Sequence, residues 1–439
     1  MKRPLFPRLA RLLLLAGTLS AGRLFAADTA PVSLYDKDPA HLWNRVYSAL
    51  MTRTADAKHP VNDLVDPPLW FGTKHLFEGE PHRQALAVLS EFVKAPIPST
   101  LTPWQRAVMQ RDLLGVHHWL TAASLGSPAK SDSRPQRELA AALARAIRHV
   151  ALTAEEIRKL PDNYSTALAA RGAITTFDSA KPAPFLPNDL LTADSPWVPV
   201  ERKGGDSIPA QMHFMLFFSR SVFEVRFRHP DGREAGEAYL KQLAALPNPV
   251  LKEKPAQGSL QISGGLWLNP ETPQFPPGSM WALVRRALLA DDKGNPVASP
   301  LVESAQVRVY RTLTDQTAFE WEARHALLLG NGGFHLTAPE EQLFGLFIAG
   351  FFSIEEPFLK PREIPQNLIC IGCHSGPGIV SINSRSSFFQ GEKDGYPTLL
   401  PATRAKLDEA AVAKARDAAN WKALRDQWGI PPAAAPPVP

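Results

Sequence analysis

Apolar residues recur at helical spacing in the first part of the chain, and two of the predicted helices begin with a recognisable cap. The segment "TPWQRAVMQRDLLGVHHWL" is opened by Thr102 with Gln105 three positions later, and "TAEE" repeats this pairing with Thr153 and Glu156. In such a capping box each side chain bonds the other residue's backbone N–H group, which stabilises the first helical turn. The pattern predicts a helical domain over 28–180.

The spacing changes after a proline-rich stretch, 181–206, which we predict to be a linker. In "VFEVRFRHPDGRE", Phe223, Val225 and Phe227 alternate with charged residues before a Pro-Asp-Gly turn. Alternation with a period of two is typical of a strand with one buried face. Similar segments follow, joined by short turns such as "DDKGN", so the sequence predicts a β-rich, antiparallel domain over 207–335.

The last part of the chain returns to helical patterns. Thr337 and Glu340 open the very apolar segment "TAPEEQLFGLFIAGFF", which predicts a buried helix within 336–400. A second helix is predicted over 401–429, followed by a disordered tail, 430–439. The whole pattern predicts an α+β fold with an N-terminal helical domain, a β-rich middle domain and a C-terminal segment that ends in a helix.

The first 26 residues, "MKRPLFPRLARLLLLAGTLSAGRLFA", have the pattern of a signal peptide. Basic residues precede an apolar run from Leu12 to about Ala21, and small residues stand at Ala26 and Ala27, where a peptidase can cut. The run is shorter than the ~18 residues that usually span a membrane. We therefore expect cleavage after 1–26, export to the periplasm or another compartment outside the cytoplasm, and no transmembrane anchor in the mature chain.

Removal of this segment changes the charge of the protein. The chain has 48 basic and 43 acidic residues, and five of the basic ones lie in the first 26 positions, which contain no acidic residue. The remainder therefore carries no net formal charge. Nothing in it indicates a nucleic-acid partner, because such binding rests on an excess of Lys and Arg.

The only two cysteines of the chain, Cys370 and Cys373, stand three positions apart, and His374 follows directly. Cys-x-x-Cys-His is the attachment site of c-type haem, in which each thiol adds to one vinyl group of the porphyrin and the histidine binds the iron. A redox dithiol and a structural zinc site are the alternatives. The sequence "SGPG" at 375–378 breaks the helix that a thioredoxin-like dithiol needs, and a zinc site needs further ligands, most often a second cysteine pair.

On this motif the chain resembles the c-type cytochromes. The resemblance covers Cys370, Cys373 and His374, and it implies one covalently attached haem c with His374 as the proximal iron ligand. In small soluble members of that family a methionine after the motif supplies the sixth ligand, whereas no methionine follows Met280 in this chain. Either an upstream residue supplies the sixth ligand, or the distal side of the haem is open.

Among upstream residues, His325 is our first candidate for the sixth ligand. In "AFEWEARHAL" it is in phase with Phe319, Trp321 and Ala323, so a strand would direct it to the apolar side. Weaker candidates are His213, Met215 and His335. Candidate partners for the haem propionates, chosen because they lie near the motif in sequence, are Arg362 and Arg385.

Two functions fit this motif. The first is one-electron transfer by an exported mono-haem cytochrome, between redox partner proteins that the sequence does not identify. The second is a haem enzyme or sensor whose open distal side takes peroxide or a nitrogen oxide. A binding or structural protein with an incidental haem is a third, less favoured interpretation. The sixth ligand decides between the first two, and we favour electron transfer.

Cleavage of the signal peptide has a direct test. Mass spectrometry of protein purified from an exporting host should give a mature amino terminus at Ala27 or within a few residues of it, because the small residues there fit signal peptidase. A membrane-bound chain that retains Met1 would contradict this prediction.

Overall fold

Helices and strands form an α+β structure in the computed structural model, as the sequence predicts. The structure describes residues 33–51, 53–54, 60–61, 76–121, 133–171, 175–178, 183–202, 209–210, 213–214, 217, 219–246, 250–256, 261–263, 266–330, 333–337, 342–344, 363–365, 374, 376–383 and 399–431. The predicted signal peptide, both cysteines and most of the predicted tail lie outside these residues.

Most of the helices precede or follow the main sheet in sequence. Their bounds are α1 (Leu42–Met51), α2 (Gly79–Phe92), α3 (Pro103–Thr121), α4 (Arg134–His149), α5 (Ala154–Arg158), α6 (Asn163–Arg171), α7 (Arg233–Ala245), α8 (His325–Leu329), α9 (Ile379–Asn383), α10 (Arg404–Asp417) and α11 (Ala419–Gln427). Both predicted capping boxes form: the backbone N–H of Gln105 bonds Oγ1 of Thr102, and that of Glu156 bonds Oγ1 of Thr153. Within the described part of the chain, no helix combines the length and the apolarity that a membrane crossing requires.

Seven strands form one sheet in the order β11-β10-β9-β8-β4-β3-β14, and each neighbouring pair is antiparallel. Its strands are β3 (Val198–Arg202), β4 (Ser221–Arg228), β8 (Met280–Ala290), β9 (Pro296–Tyr310), β10 (Gln316–Ala323), β11 (Phe334–Thr337) and β14 (Leu399–Pro401). Smaller sheets contain β1 (Arg53–Thr54), β2 (Pro60–Val61), β5 (Val250–Leu251), β6 (Gln261–Ser263), β7 (Leu266–Leu268), β12 (Gln342–Phe344) and β13 (Glu363–Pro365). The predicted turn "DDKGN" joins β8 to β9, so the antiparallel prediction is confirmed.

The two faces of the main sheet differ in chemistry. Cross-strand partners share a face, since side chains alternate along each strand. One face, here the helix face, carries the row Glu224, Val284, Ala305, Trp321 and Leu336. The other, here the site face, carries the row Phe223, Arg285, Ser304, Glu322 and His335. Mostly apolar residues therefore meet the core on the helix face, whereas the site face is rich in polar and charged groups.

Helices from the first part of the chain cover the helix face. The amide side chain of Gln110 in α3 bonds both the carbonyl and the N–H of Ala290 in β8. In the same way Asn163 in α6 bonds the carbonyl and the N–H of Val302 in β9. Buried apolar side chains from α3 and from the sheet belong to one continuous hydrophobic core. The segments predicted as helical and β-rich domains therefore pack into a shared interior.

A buried ion pair lies within this shared interior. Nε of Arg111 in α3 donates to Oε1 of Glu303 in β9 at 2.6 Å, and both side chains are almost inaccessible to solvent. The hydroxyl of Ser221 donates to the other oxygen of Glu303 at 2.6 Å. A buried charge is tolerated only when it is paired and hydrogen-bonded, so these contacts fix α3 over β9 and β4.

A smaller aromatic cluster covers one end of the site face. Tyr239 of α7 packs on Phe227 of β4 with ring centroids 5.2 Å apart, and Phe275 packs edge-on against Tyr310 of β9 at 4.8 Å. Ile379, the first residue of α9, is buried in the same cluster. The segment that follows the Cys-x-x-Cys-His motif is thereby anchored to the site face.

Four sequence predictions differ from the structure. The predicted linker, 181–206, contains strand β3 of the main sheet, because its valines pack in the aromatic cluster. Helix α7 lies within the range predicted as β-rich. The predicted helix from Thr337 is wrong where the structure describes it, since Thr337 ends β11 and β12 follows. The predicted helix 401–429 divides at Ala418, whose backbone is extended.

The buried ion pair predicts that substituting Glu303 lowers the free energy of unfolding far more than substituting an exposed carboxylate. Glu303→Gln should lower the free energy of unfolding by about 3 kcal/mol or more, because it leaves the buried Arg111 guanidinium without its main counter-charge. Chemical denaturation followed by circular dichroism measures this loss. Glu155→Gln is the control: its pair with Lys159 is exposed, so the change should be about 0–1 kcal/mol. Equal effects of the two substitutions would refute the role given to Glu303.

Candidate functional site

The turn after the motif is held on the site face by backbone contacts. Gly378 has φ of 51°, a left-handed conformation that favours glycine, and a Cβ there would collide with the side-chain amide of Gln274. Its N–H bonds the carbonyl of Leu313 at 2.7 Å, and the N–H of Ile379 bonds Oε1 of Gln274 at 3.0 Å. Residues 376–378 thus form a tight turn that leads into α9.

His374 is partly buried and oriented by its neighbours. Its Nδ1 lies 2.5 Å from the carbonyl oxygen of Ser381, so Nδ1–H is the donor. Nε2 of Gln316, at the start of β10, donates to the carbonyl of His374 at 3.1 Å. The hydroxyls of Ser381 and Tyr310 are 2.6 Å apart. These contacts fix the ring with Nε2 as the nitrogen that carries no proton.

His213 lies beside His374. The ring centroids of the two histidines are 6.2 Å apart and their planes differ by 31°. His213 also packs against Phe223 of β4, with centroids 5.7 Å apart. It belongs to a helical turn in which the N–H of Phe217 bonds the carbonyl of His213 at 3.0 Å. The structure therefore brings together two imidazoles that are 161 positions apart in the sequence.

Burial, assisted by nearby positive charge, keeps both imidazoles neutral. Burial, followed by the charge of Arg308 and then the His213 ring, lowers the pKa of His374 to about 3. Burial, followed by Arg308 and Arg285, lowers the pKa of His213 to about 4. A neutral imidazole is the form that binds a metal ion. Both rings are therefore in a metal-binding protonation state at neutral pH.

The described surroundings of His374 suit a histidine that binds a metal ion. Metal-binding histidines usually donate their second ring N–H to a backbone carbonyl or a carboxylate, which fixes the tautomer and raises ligand basicity. His374 makes this contact with Ser381. Cys370 and Cys373 lie outside the described residues.

His325, the first candidate for the sixth ligand, is not near His374. Its Nδ1 bonds the hydroxyl of Tyr47 at 3.0 Å, and its Nε2 donates to both carboxylate oxygens of Asp112 at 3.0 and 2.9 Å. Both ring nitrogens are thus occupied. Gln316, whose side chain bonds the carbonyl of His374, begins the eight-residue strand β10, and His325 follows the other end of that strand. At ~3.3 Å per residue the two ends are about 25 Å apart.

The strand-phase argument for His325 fails for a local reason. β10 ends at Ala323, and His325 is the first residue of α8. The side chain therefore no longer follows the alternation of Phe319 and Trp321. It points into the core shared with α1 and α3 instead, where Asp112 and Tyr47 satisfy it.

The remaining candidates from the sequence fall in several places. His335 lies on the site face at the edge strand β11, four strands from Phe223. Two histidines that are not ligand candidates, His117 and His118, are buried in α3, where His117 contacts the side chain of Gln427 at 2.9 Å. Candidates that lie outside the described residues are Met215, Arg362 and Arg385.

The sequence did not single out the charged groups that surround the site. Arg285 lies over the ring of Phe217, 4.3 Å from its centroid, and Arg308 bonds Gln306 on the same strand. Glu320 in β10 is partly buried, and burial together with the nearby charge of Glu322 raises its pKa to about 7. Alternating charged residues along β9 and β10 were the available signal, since alternation marks the two faces of a strand.

No family model, curated protein or solved structure matches this chain. Among the residues that the structure describes, no group of three or more His, Cys, Asp and Glu side chains has the arrangement of a metal site. The case for the site therefore rests on the motif and on the geometry of His374 and His213.

Glu320 predicts a pH-dependent stability. Because its folded pKa of about 7 exceeds the ordinary value of 4.5, folding favours the protonated carboxyl, and this stability is lost as the pH rises through about 7. Relative to Glu320→Gln, the parent should lose about 2 kcal/mol of unfolding free energy between pH 5 and pH 8, at 1.36 kcal/mol per pKa unit. Urea denaturation of both proteins at each pH measures the difference. Parallel stability curves would contradict the raised pKa.

Proposed function

We propose that this protein is an exported mono-haem c-type cytochrome that transfers single electrons between redox partner proteins. The observation that carries the proposal is the orientation of His374 directly after the two cysteines. Its Nδ1–H is bonded to the carbonyl of Ser381, and its neutral Nε2 is left for an iron atom. The sequence pattern of the first 26 residues supports export, and c-type attachment takes place outside the cytoplasm.

Cys370 and Cys373 would hold the haem covalently. Each thiol would add across one vinyl group, with sulfur bonded to one vinyl carbon and the thiol hydrogen on the other, so this addition would change no oxidation state overall and release no leaving group. A bound haem c supplies a one-electron couple between ferric and ferrous iron.

The residues around His374 would tune this couple. Ser381 holds the imidazole as a hydrogen-bonded donor, which raises its basicity toward the iron. Arg308 places positive charge near both imidazoles and Arg285 near His213, because Arg308 lowers the pKa of both rings and Arg285 that of His213. Fixed positive charge disfavours a further positive charge nearby, so these two arginines favour the reduced state.

The position of His213 favours electron transfer over the alternative function. A haem enzyme or sensor for peroxide or a nitrogen oxide needs an open distal side. His213 lies 6.2 Å from His374, ring centre to ring centre, close enough that its imidazole would compete with such a ligand for an iron bound by His374. A six-coordinate haem suits outer-sphere electron transfer, because nothing binds or leaves during the reaction.

Covalent haem attachment has a direct test. Protein made together with c-type maturation machinery should keep its haem on a denaturing gel, detected by peroxidase staining, because thioether bonds survive denaturation. The double variant Cys370→Ala, Cys373→Ala should lose this signal, since no other cysteine is present.

The single variants are the matched controls. Cys370→Ala and Cys373→Ala should each retain one thioether bond, and the pyridine haemochrome spectrum should shift toward that of a haem with one free vinyl group. Haem that extracts into acid acetone from the parent protein would refute the assignment.

A further inference from the structure

His213 is the residue whose ring lies beside that of His374. We infer that His213 is the second axial ligand of the iron, so that the protein carries a six-coordinate haem with two histidine ligands. The inference rests on the proposed function, because it requires a haem attached at Cys370 and Cys373. It replaces His325 as the sixth ligand with a residue that the sequence ranks only as a weaker candidate.

The separation of the two rings fits one iron atom between them. A metal–imidazole bond is about 2.0–2.1 Å long and the ring centre lies roughly 1.1 Å behind the nitrogen, so two opposed imidazoles on one metal have centres about 6.2–6.4 Å apart. The observed separation of His213 and His374 is 6.2 Å. Stacked aromatic rings without a metal also have centres about 4.5–7 Å apart, so the hydrogen bond and the scaffold of the two histidines matter as well.

The hydrogen bond of His374 adds an independent observation. His374 uses Nδ1 for the carbonyl of Ser381, which leaves Nε2 as its metal-binding nitrogen. The ring of His213 lies beside this imidazole and packs against Phe223 of β4.

The scaffold holds His213 rather than leaving it on a free loop. Its own carbonyl accepts from Phe217, and the N–H of Phe214 bonds the carbonyl of Ala210 at 3.0 Å. Phe214 is fully buried, and Phe217 packs on Phe223 of β4 with centroids 5.5 Å apart. The turn is therefore fixed to the sheet on both sides of His213, which positions the ring before any ligand arrives.

The charge around the pair indicates which group fits between the rings. Arg285 lies over the ring of Phe217, whose N–H bonds the carbonyl of His213, and Arg308 lies on the same face of the sheet. A bare divalent cation would meet this positive charge with two neutral ligands, which is unfavourable. A haem brings two propionate carboxylates, and arginines are the usual partners of carboxylates. The local charge thus favours haem over a free metal ion.

Spin state is the property that tests the assignment. We expect the oxidised parent protein, carrying covalent haem, to be low-spin by electron paramagnetic resonance and absorption. His213→Gly should turn the ferric spectrum high-spin, and its reduced form should bind carbon monoxide fully, because the sixth position is open. Added imidazole should restore the low-spin spectrum of His213→Gly, since it replaces the missing side chain.

A second variant keeps the test valid if His213→Gly folds poorly. His213→Met should remain low-spin but shift the midpoint potential upward, because a thioether ligand stabilises ferrous iron relative to imidazole. His335→Ala is the matched control: it removes a histidine from the same sheet face, at the far edge strand, and should leave spin state and potential unchanged.

The outcomes separate this inference from the proposed function. Covalent haem on the gel with a low-spin His213→Gly spectrum in the absence of imidazole would overturn His213 as a ligand and leave the cytochrome proposal intact. A parent protein that is already high-spin and binds carbon monoxide readily would also overturn it, and would favour the enzyme or sensor. A parent without covalent haem would overturn both the proposed function and this inference.

Discussion

The buried ion pair between Arg111 of α3 and Glu303 of β9 is the contact on which the rest of the structure depends. Two charges leave water only if each finds its partner, so the helical layer has essentially one position on the sheet that avoids an unpaired charge. The neutral bonds of Gln110 and Asn163 to strand backbones reinforce the same register. Apolar packing supplies the attraction between the layers, whereas these polar contacts select one arrangement from the many that would bury a similar area.

Because the helices cover the helix face of the sheet, the candidate site lies on the site face. On the site face the row from Phe223 to His335 contains charged and polar residues that the core would not tolerate. The segment after the motif docks on this face through two kinds of contact: Ile379 enters the aromatic cluster, and the left-handed Gly378 brings its N–H to the carbonyl of Leu313. Through its carbonyl, His374 is also bonded to the side chain of Gln316, the first residue of β10, so it is held by the sheet and not by a free loop.

Local signals explain which parts the sequence predicted. Strand β4 could be predicted from the alternation of apolar and charged residues, and the turn into β9 from its turn residues. The capping boxes of α3 and α5 could be predicted because each needs only two side chains within one helical turn. The same local reasoning went wrong at Thr337, where a capping pattern lies at the end of a strand, because pairing with β10 decides that backbone. His374 stands out in the sequence because its motif lies in five consecutive residues. His213 is only a weaker candidate there, since only the folded sheet brings it to His374.

The proposed function would give the length of the chain a physical reason. The orientation of His374 is local, because Ser381 orients its ring from seven positions away. The neighbouring imidazole depends on the scaffold: His213 keeps its place through Phe217 and Phe223, and Phe223 belongs to a strand held by the helical layer. If both histidines bind the iron as proposed, the ligand set would depend on the global fold, and loosening the core would displace His213 before it altered the attachment motif.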